Sequence, residues 1–249
     1  DDIIGTEGQY WSNNVMTIVP QGNYGNLRGE KYGAGRYREA KLSEYTIDCF
    51  FDDFDKYCIP MKLGYDGELY EPEFLPAKYP HILFNPQFSG IGYGLASNIP
   101  PFNVSEVLDA TISLIKNPKA NILLIPDSPT GSDIIDNGTF KEMNNTGRGK
   151  VVFRATSEID YQDNVIRITS LPYNINSKSV IAKIIELINK GTIKDIQEIQ
   201  DSTKEGEVDI KIKLKPSAKP DLVLKKLYKK GTGLKFTYPC GITVIDDYQ

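Results

Sequence analysis

The stretch that decides the fold is residues 207–215, which read EVDIKIKLK. Apolar and polar residues alternate strictly here, which is the pattern of a strand with one buried face and one solvated face. An amphipathic helix is predicted before it, from Asn176 or Ser177 to Gly191, and another after it, from Pro220 to Gly231. Helices with one apolar stripe flanking a half-buried strand predict an α+β fold, with helices packed against a mixed or antiparallel sheet.

The same patterns predict further elements upstream. Residues 42–56 carry apolar side chains at helical spacing. A second helix is predicted from near Asn103, capped by that residue, to Pro118. Two strands are predicted on either side of a turn at residues 161–164, and a strand entry at Lys78 to Phe84. The acidic loop from Gly64 to Pro72 predicts a boundary between two units.

Composition places the chain among ordinary soluble globular proteins, with 249 residues, 40% of them hydrophobic and 25% charged. We expect no membrane segment, because no apolar run approaches bilayer length. The three cysteines Cys49, Cys58 and Cys240 are odd in number and scattered, which favours reduced thiols in the cytoplasm over a disulfide framework. The single histidine, His81, excludes a histidine-cluster metal site and favours a structural role for that residue.

The net charge of −4 conceals local basic stretches. Residues 20–41 hold five Lys/Arg against two Asp/Glu, and residues 177–235 hold 14 against eight, whereas residues 42–147 hold six against 15. Such stretches are often only solvated surface. A polyanion nevertheless needs only one positive face, so nucleic acid remains a possible partner.

The run QGNYG at residues 21–25 and the run GRYREA at residues 35–40 place Tyr37 beside arginines, shortly after a glycine-rich loop. A phenol can attack a phosphodiester and carry the phosphate as a covalent ester. The guanidinium of Arg36 can hold phosphate oxygens through paired hydrogen bonds. The plainer alternative is that Tyr37 is one of 15 tyrosines with a structural role.

A second glycine-rich run, SGIGYGLASNIPP, occupies residues 89–101. It lacks the spacing of a nucleotide-binding loop, and no ATP-binding motif occurs elsewhere in the chain. The run presents one isolated bulky residue, Ile91. Such a side chain can fill a core, or it can enter a base step and kink a DNA duplex.

Several motifs follow one another in a recognisable order. They are QGNYG at 21–25, RYREA at 36–40, PEFLP at 72–76, the run at 89–101, DSPTG at 127–131, GRGK at 147–150 and LPYNIN at 171–176. From about residue 15 to its end, the chain resembles the breakage–reunion subunit of type IIA DNA topoisomerases, which is the A subunit of DNA gyrase and of topoisomerase IV. It departs from that pattern by one extra residue in Pro86-Gln87-Phe88 and by an atypical stretch between Asp136 and Thr146.

The resemblance implies a two-part organisation. Residues 1–62 would be the C-terminal portion of a winged-helix domain that carries the catalytic tyrosine. Residues 63–249 would be a mixed α/β tower domain without the coiled coil that follows it in the family. The family's DNA-recognition helix is also absent, so we expect a fragment that is inactive alone.

The resemblance also implies a mechanism of DNA strand breakage and reunion by an ATP-hydrolysing type II topoisomerase. Tyr37 would form a 5′-phosphotyrosyl ester, and Arg36 would stabilise the charge on the transferring phosphate. The implied DNA-binding residues are Gln21, Asn23, Arg38, Gly90, Ile91 and Lys150. Mg²⁺ and ATP would be bound by a B-type partner subunit, with no metal site in this chain. The implied assembly has two A and two B subunits, built on a homodimer of A subunits, and acts on double-stranded DNA in the cytoplasm of a bacterium or of a phage-infected host.

Alternatives stay open at this point. The chain could be a non-catalytic DNA-binding or architectural module of the same fold. An unrelated soluble α+β enzyme is a further alternative, which the ordered motifs disfavour. The sequence also leaves open whether the parent enzyme introduces supercoils or relaxes and decatenates DNA.

Overall fold

The computed structural model describes residues 2–52, 59–85, 91–92, 95–136, 138–204 and 206–243. Within them the α-helices are α1 (Asp2–Glu7), α2 (Glu44–Thr46), α3 (Val104–Lys116), α4 (Phe140–Thr146), α5 (Ser177–Asn189) and α6 (Pro220–Lys229). None of these helices is long and apolar enough to span a bilayer.

The strands form small antiparallel sheets. They are β1 (Ile18–Gly22), β2 (Arg38–Leu42), β3 (Met61–Leu63), β4 (Tyr70–Pro72), β5 (Ile91–Gly92), β6 (Leu95–Ala96), β7 (Asp133–Ile135), β8 (Arg148–Arg154), β9 (Ser157–Asp160), β10 (Val165–Ile168), β11 (Ile196–Asp201), β12 (Ile210–Leu214) and β13 (Lys235–Gly241). The order is β11-β12-β10-β9 in a four-stranded sheet and β13-β8-β7 in a three-stranded sheet, while β1-β2, β3-β4 and β5-β6 are two-stranded. This mixture of helices and antiparallel sheets confirms the predicted α+β class.

The larger core lies on the four-stranded sheet. It buries one face of β12, as the alternation at residues 207–215 predicts. Ile210, Ile212 and Leu214 of β12 are buried, whereas the lysines between them are exposed. Across the sheet, Ile166 of β10 pairs with Ile212. The apolar stripes of α5 and α6 cover this face, as Val180 and Leu227 illustrate. Burying each such side chain stabilises the fold by about 1.5–3 kcal/mol.

Three predicted helices begin at the residues that signal a helix start. The side chain of Asn103 accepts hydrogen bonds from the backbone N–H groups of Ser105 and Glu106 at the start of α3. Asn176 caps α5 in the same way through the N–H of Ser179. Pro220 occupies the first turn of α6, where its missing N–H costs nothing.

A second core joins α3, α4 and the three-stranded sheet. It contains large buried side chains such as Phe84, Phe102, Phe153 and Tyr173. Side chains from the N-terminal region, Val15 and Tyr45 among them, pack against this core. Cys49 and Cys240 are buried free thiols, as predicted, while Cys58 lies outside the described residues. Burial raises the pKa of the Cys240 thiol to about 11.

The strand predicted at Lys78 to Phe84 is wrong. A 3₁₀ helix forms instead over His81–Leu83, with Leu83 N–H donating to the carbonyl of Pro80 and Phe84 N–H to that of His81. Pro80 has no N–H to offer a strand ladder, and its fixed φ suits a turn. His81 is buried in this turn, which is the structural role expected of it.

Two other predictions need adjustment. The predicted helix at 42–56 begins as α2 and widens into a π-helical turn over Ile47–Phe51, where Asp52 N–H donates to the carbonyl of Ile47. Residues 53–58 lie outside the described part of the chain. The predicted loop from Gly64 to Pro72 is a turn whose last residues, Tyr70–Pro72, form β4 against β3.

Candidate active site

Tyr37, the predicted nucleophile, lies at the end of a 3₁₀ turn, Gly35–Tyr37, that leads directly into β2. Its backbone N–H donates to the carbonyl of Ala34 at 2.8 Å, which closes the turn. The side chain is 63% exposed, so the phenol is accessible to a large substrate. The guanidinium carbon of Arg36 lies 5.1 Å from the centre of the Tyr37 ring. The turn therefore presents a phenol and a cation together on the surface.

The QGNYG motif lies beside this turn because β1 and β2 form an antiparallel hairpin. Gln21 is paired with Glu39, and Gly22 with Arg38. Gly22 has φ +101°, and a Cβ atom built on it would come within 2.3 Å of the carbonyl oxygen of Tyr37. Only glycine tolerates both conditions, and it lets the glycine-rich loop approach the backbone of Tyr37 closely.

The loop between the two strands is fixed by its own hydrogen bonds. The carbonyl of Asn23 accepts from Gly33 N–H at 3.0 Å, and its side-chain oxygen accepts from Gly25 N–H at 2.9 Å. Gln21, near the end of β1, and Asn23, just after it, are both exposed. The structure thus brings Gln21, Asn23, Arg36 and Tyr37 together.

An apolar anchor ties this loop to the larger core. Leu27 is buried among the side chains of the four-stranded sheet and its helices. The backbone N–H of Ser177 donates to the carbonyl of Leu27 at 3.1 Å, and that of Lys178 to the carbonyl of Arg28 at 3.2 Å. The first turn of α5 therefore uses its otherwise unpaired N–H groups to hold the loop. Sequence reasoning missed this anchor; the only hint in the sequence is a leucine in an otherwise polar loop, which does not indicate its partner.

Arg38 has a different environment from Arg36. It is half-buried, and its guanidinium carbon lies 4.8 Å from the centre of the Tyr32 ring and 5.5 Å from that of Tyr24. The Tyr32 hydroxyl donates to the Asp2 carboxylate at 2.7 Å, a bond that raises the pKa of the phenol. Sequence reasoning missed both tyrosines, because neither is adjacent to Arg38 in the chain.

The remaining predicted site residues lie on other elements. Lys150 is exposed on β8 and, within the described part of the chain, no hydrogen bond or ring contact joins it to the Tyr37 turn. Ile91 begins β5, a two-residue strand in which it pairs with Ala96 of β6. Gly90 lies outside the described residues.

The described residues do not contain a cluster of three or more His, Cys, Asp or Glu side chains that could hold a metal ion. The carboxylate next along β2 from Tyr37, that of Glu39, is exposed and belongs to no such cluster among the described residues. Hard cations such as Mg²⁺ prefer several oxygen ligands. The donor set that the described chain offers at Tyr37 therefore does not fit a Mg²⁺ site of its own.

Comparison with known proteins identifies the family. The family model for the A subunit of DNA gyrase/topoisomerase IV matches residues 4–249. The chain belongs to this family. The match confirms the resemblance carried by the ordered motifs and excludes an unrelated α+β enzyme.

Gyrase A relatives align along almost all of the chain. It is 33% identical to the DNA gyrase A protein of Chlamydia muridarum over 248 residues, which cover 96% of this chain and 29% of the relative. It is 34% identical to the gyrase A protein of Clostridium acetobutylicum over 241 residues, covering 93% and 29%. It is 37% identical to that of Haloquadratum walsbyi over 213 residues, covering 83% and 24%. The chain thus spans less than a third of the length of these curated gyrase A relatives.

Proposed function

We propose that the chain carries out DNA strand breakage and reunion as part of a type II topoisomerase, with Tyr37 as the nucleophile. The observation that carries the proposal is the exposed phenol of Tyr37 beside the Arg36 guanidinium, on a turn held by the backbone of the β1–β2 hairpin. Membership of the gyrase A family supports the same chemistry.

The proposed reaction exchanges one phosphate ester for another. The Tyr37 oxygen attacks a backbone phosphorus of DNA and loses its proton, while the bond from phosphorus to the 3′ oxygen breaks and that oxygen is protonated. The product is a 5′-phosphotyrosyl ester and a free 3′-hydroxyl, and attack by that hydroxyl reverses the step. Arg36 stabilises the negative charge that accumulates on the phosphate oxygens.

The proton that the attacking phenol loses needs an acceptor. We assign Mg²⁺ and ATP to a B-type partner subunit, as the resemblance to the gyrase A family implies. The described residues do not contain a cluster of three or more His, Cys, Asp or Glu side chains that could hold a metal ion. In this proposal two A and two B subunits assemble on an A-subunit homodimer. This chain supplies the nucleophile, the arginine and part of the DNA-binding surface.

Double-stranded DNA would contact several elements of the chain. Gln21 and Asn23 flank the nucleophile and would position the cleaved strand through hydrogen bonds to its backbone. Lys150, exposed on β8, would hold a phosphate farther along the duplex. Ile91, with Gly90 before it, would enter a base step and bend the DNA.

The two-part organisation is proposed with the function. Residues 1–62 would be the end of a winged-helix domain, and residues 63–249 a tower domain. The packing of Leu27 into the larger core would hold the nucleophile's loop against the tower. A bacterial or phage-infected cytoplasm is the proposed location.

Covalent trapping tests this function. The protein is incubated with its B-type subunit, Mg²⁺, ATP and supercoiled plasmid, then denatured to reveal DNA bound covalently to the protein. Wild type should form the adduct, while Tyr37→Phe should form none and bind DNA almost normally. DNA binding by wild type without any adduct would instead support a non-catalytic DNA-binding module.

A further inference from the structure

We propose that Arg38 is a positioning residue for Tyr37, acting from a stack between two tyrosine rings instead of on DNA. This inference rests on the proposed function of Tyr37. Its basis is the location of the guanidinium, 4.8 Å from the centre of the Tyr32 ring and 5.5 Å from the centre of the Tyr24 ring. Both distances lie within the roughly 6 Å at which a cation is attracted by an aromatic face.

Each ring of the stack is held by a separate part of the chain. Tyr24 is buried, and its hydroxyl donates to the carbonyl of Glu39 at 2.7 Å. The side chain of Gln9 donates to the carbonyl of Tyr24 at 3.0 Å. Tyr32 is held by its bond to Asp2 on α1. The guanidinium is thus enclosed by groups fixed independently of one another.

Two glycines near the N-terminus leave room for the stack. A Cβ atom on Gly5 of α1 would lie 2.8 Å from Arg38 Nη1 and equally close to the Tyr32 ring. A Cβ atom on Gly8 would lie 2.1 Å from the Tyr24 ring. Any side chain at either glycine would displace the stack, so the fit between this segment and Arg38 is close.

The stack bears on the nucleophile through the backbone. Arg38 follows Tyr37 directly, and its N–H donates to the carbonyl of Gly35, which closes the 3₁₀ turn. Fixing the Arg38 side chain therefore fixes the residue that ends this turn. Small displacements of a reacting group slow the reaction strongly, since a shift of about 1 Å can lower the rate about 100-fold.

Three variants separate positioning from DNA binding. Arg38→Gln removes the cation from the rings, whereas Arg38→Lys keeps a cation there. The matched control is Lys41→Gln, which removes an exposed charge from the same strand. The protein is assayed with its B-type subunit for the rate of adduct formation at saturating DNA and for DNA affinity at several salt concentrations.

We expect Arg38→Gln to slow adduct formation about tenfold or more while DNA affinity changes less than about twofold. Arg38→Lys should recover most of the rate, because an ammonium is also attracted by aromatic faces. Lys41→Gln should leave the rate unchanged. A normal rate for Arg38→Gln at saturating DNA, with weaker affinity and a salt slope lowered by about one, would show that Arg38 is a DNA ligand.

A second measurement needs no DNA. Hydrogen exchange of the peptide spanning residues 33–40 reports the bond from Tyr37 N–H to Ala34. Exchange should be faster in Arg38→Gln and in Tyr32→Leu than in wild type or Lys41→Gln. Unchanged exchange in both would overturn the stack as a positioning device. A wild-type protein that forms no adduct but shows these exchange differences would overturn the proposed function alone.

Discussion

Gly22 faces the carbonyl oxygen of Tyr37 across the β1–β2 hairpin so closely that a Cβ atom on Gly22 would lie 2.3 Å from that oxygen. The same glycine has φ +101°, a conformation that side chains rarely permit. The turn bearing the nucleophile and the glycine-rich loop are therefore in direct backbone contact. The position of the Tyr37 phenol depends on a residue 15 positions earlier in the chain.

Substitution of Gly22 should consequently affect both chemistry and stability. Gly22→Ala must push the Tyr37 backbone away, and we expect adduct formation to fall by about 100-fold. The strain should cost about 1–3 kcal/mol in the free energy of unfolding. Gly231→Ala is the control, since Gly231 also has a positive φ but no atom within 4 Å of the position that a Cβ would occupy. Gly231→Ala should lose stability only through its backbone conformation and should keep its adduct rate. Equal adduct rates for the two variants would show that the contact between Gly22 and the Tyr37 backbone does not affect the reaction.

Leu27 should contribute to stability from within a polar loop. Leu27→Ala leaves a cavity in the larger core, and the expected loss in the free energy of unfolding is about 2–5 kcal/mol. Urea unfolding followed by circular dichroism measures it. Leu222→Ala removes the same atoms from an exposed position on α6 and should cost about 0.5 kcal/mol or less. A loss at Leu27 as small as that at Leu222 would mean that the loop is not anchored in the core.

His81 should make stability depend on pH. It is buried, its Nδ1 lies 2.8 Å from the Tyr45 hydroxyl, and burial lowers its pKa to about 4 from the ordinary 6.5. The folded protein therefore holds His81 neutral, whereas the unfolded chain takes up a proton below pH 6.5. The stabilisation is complete above pH 6.5 and is lost progressively as the pH falls towards 4, by up to about 3 kcal/mol.

Urea unfolding of wild type and His81→Gln between pH 7.5 and 4 tests this dependence. The difference in unfolding free energy between the two proteins should shrink as the pH falls, because only wild type loses the His81 contribution. Other titrating groups are common to both proteins and cancel in the difference. A difference that stays constant over this range would show that His81 titrates alike in the folded and unfolded states.

The parts of the fold that the sequence predicted are those governed by neighbours in the chain. The alternation at residues 207–215, the cap at Asn103 and the first-turn Pro220 each act over a few residues, and each was found as expected. The prediction of a strand at Lys78 to Phe84 was wrong because it relied on the apolar residues there and neglected the effect of Pro80. At Lys78 to Phe84 the local pattern was misleading because a proline removes a ladder donor.

The site was predictable only in part, for a related reason. Tyr37 and Arg36 are adjacent in the chain, so their placement together on one turn could be expected from the sequence. The stack on Arg38 joins it to Tyr24, Tyr32 and Asp2, and the anchor joins Leu27 to a helix that begins 150 residues later. Such contacts depend on how distant segments pack, which no local pattern specifies.

The most direct test of Tyr37 as the nucleophile is the identity of the tyrosine that carries the DNA. The protein is allowed to cleave plasmid together with its B-type subunit, the adduct is trapped by denaturation, the DNA is digested with nuclease, and peptides are mapped by mass spectrometry. The proposed mechanism predicts a nucleotide mass on the peptide containing Tyr37 and no adduct in Tyr37→Phe. A nucleotide on any of the other tyrosines, or an adduct that persists in Tyr37→Phe, would contradict it.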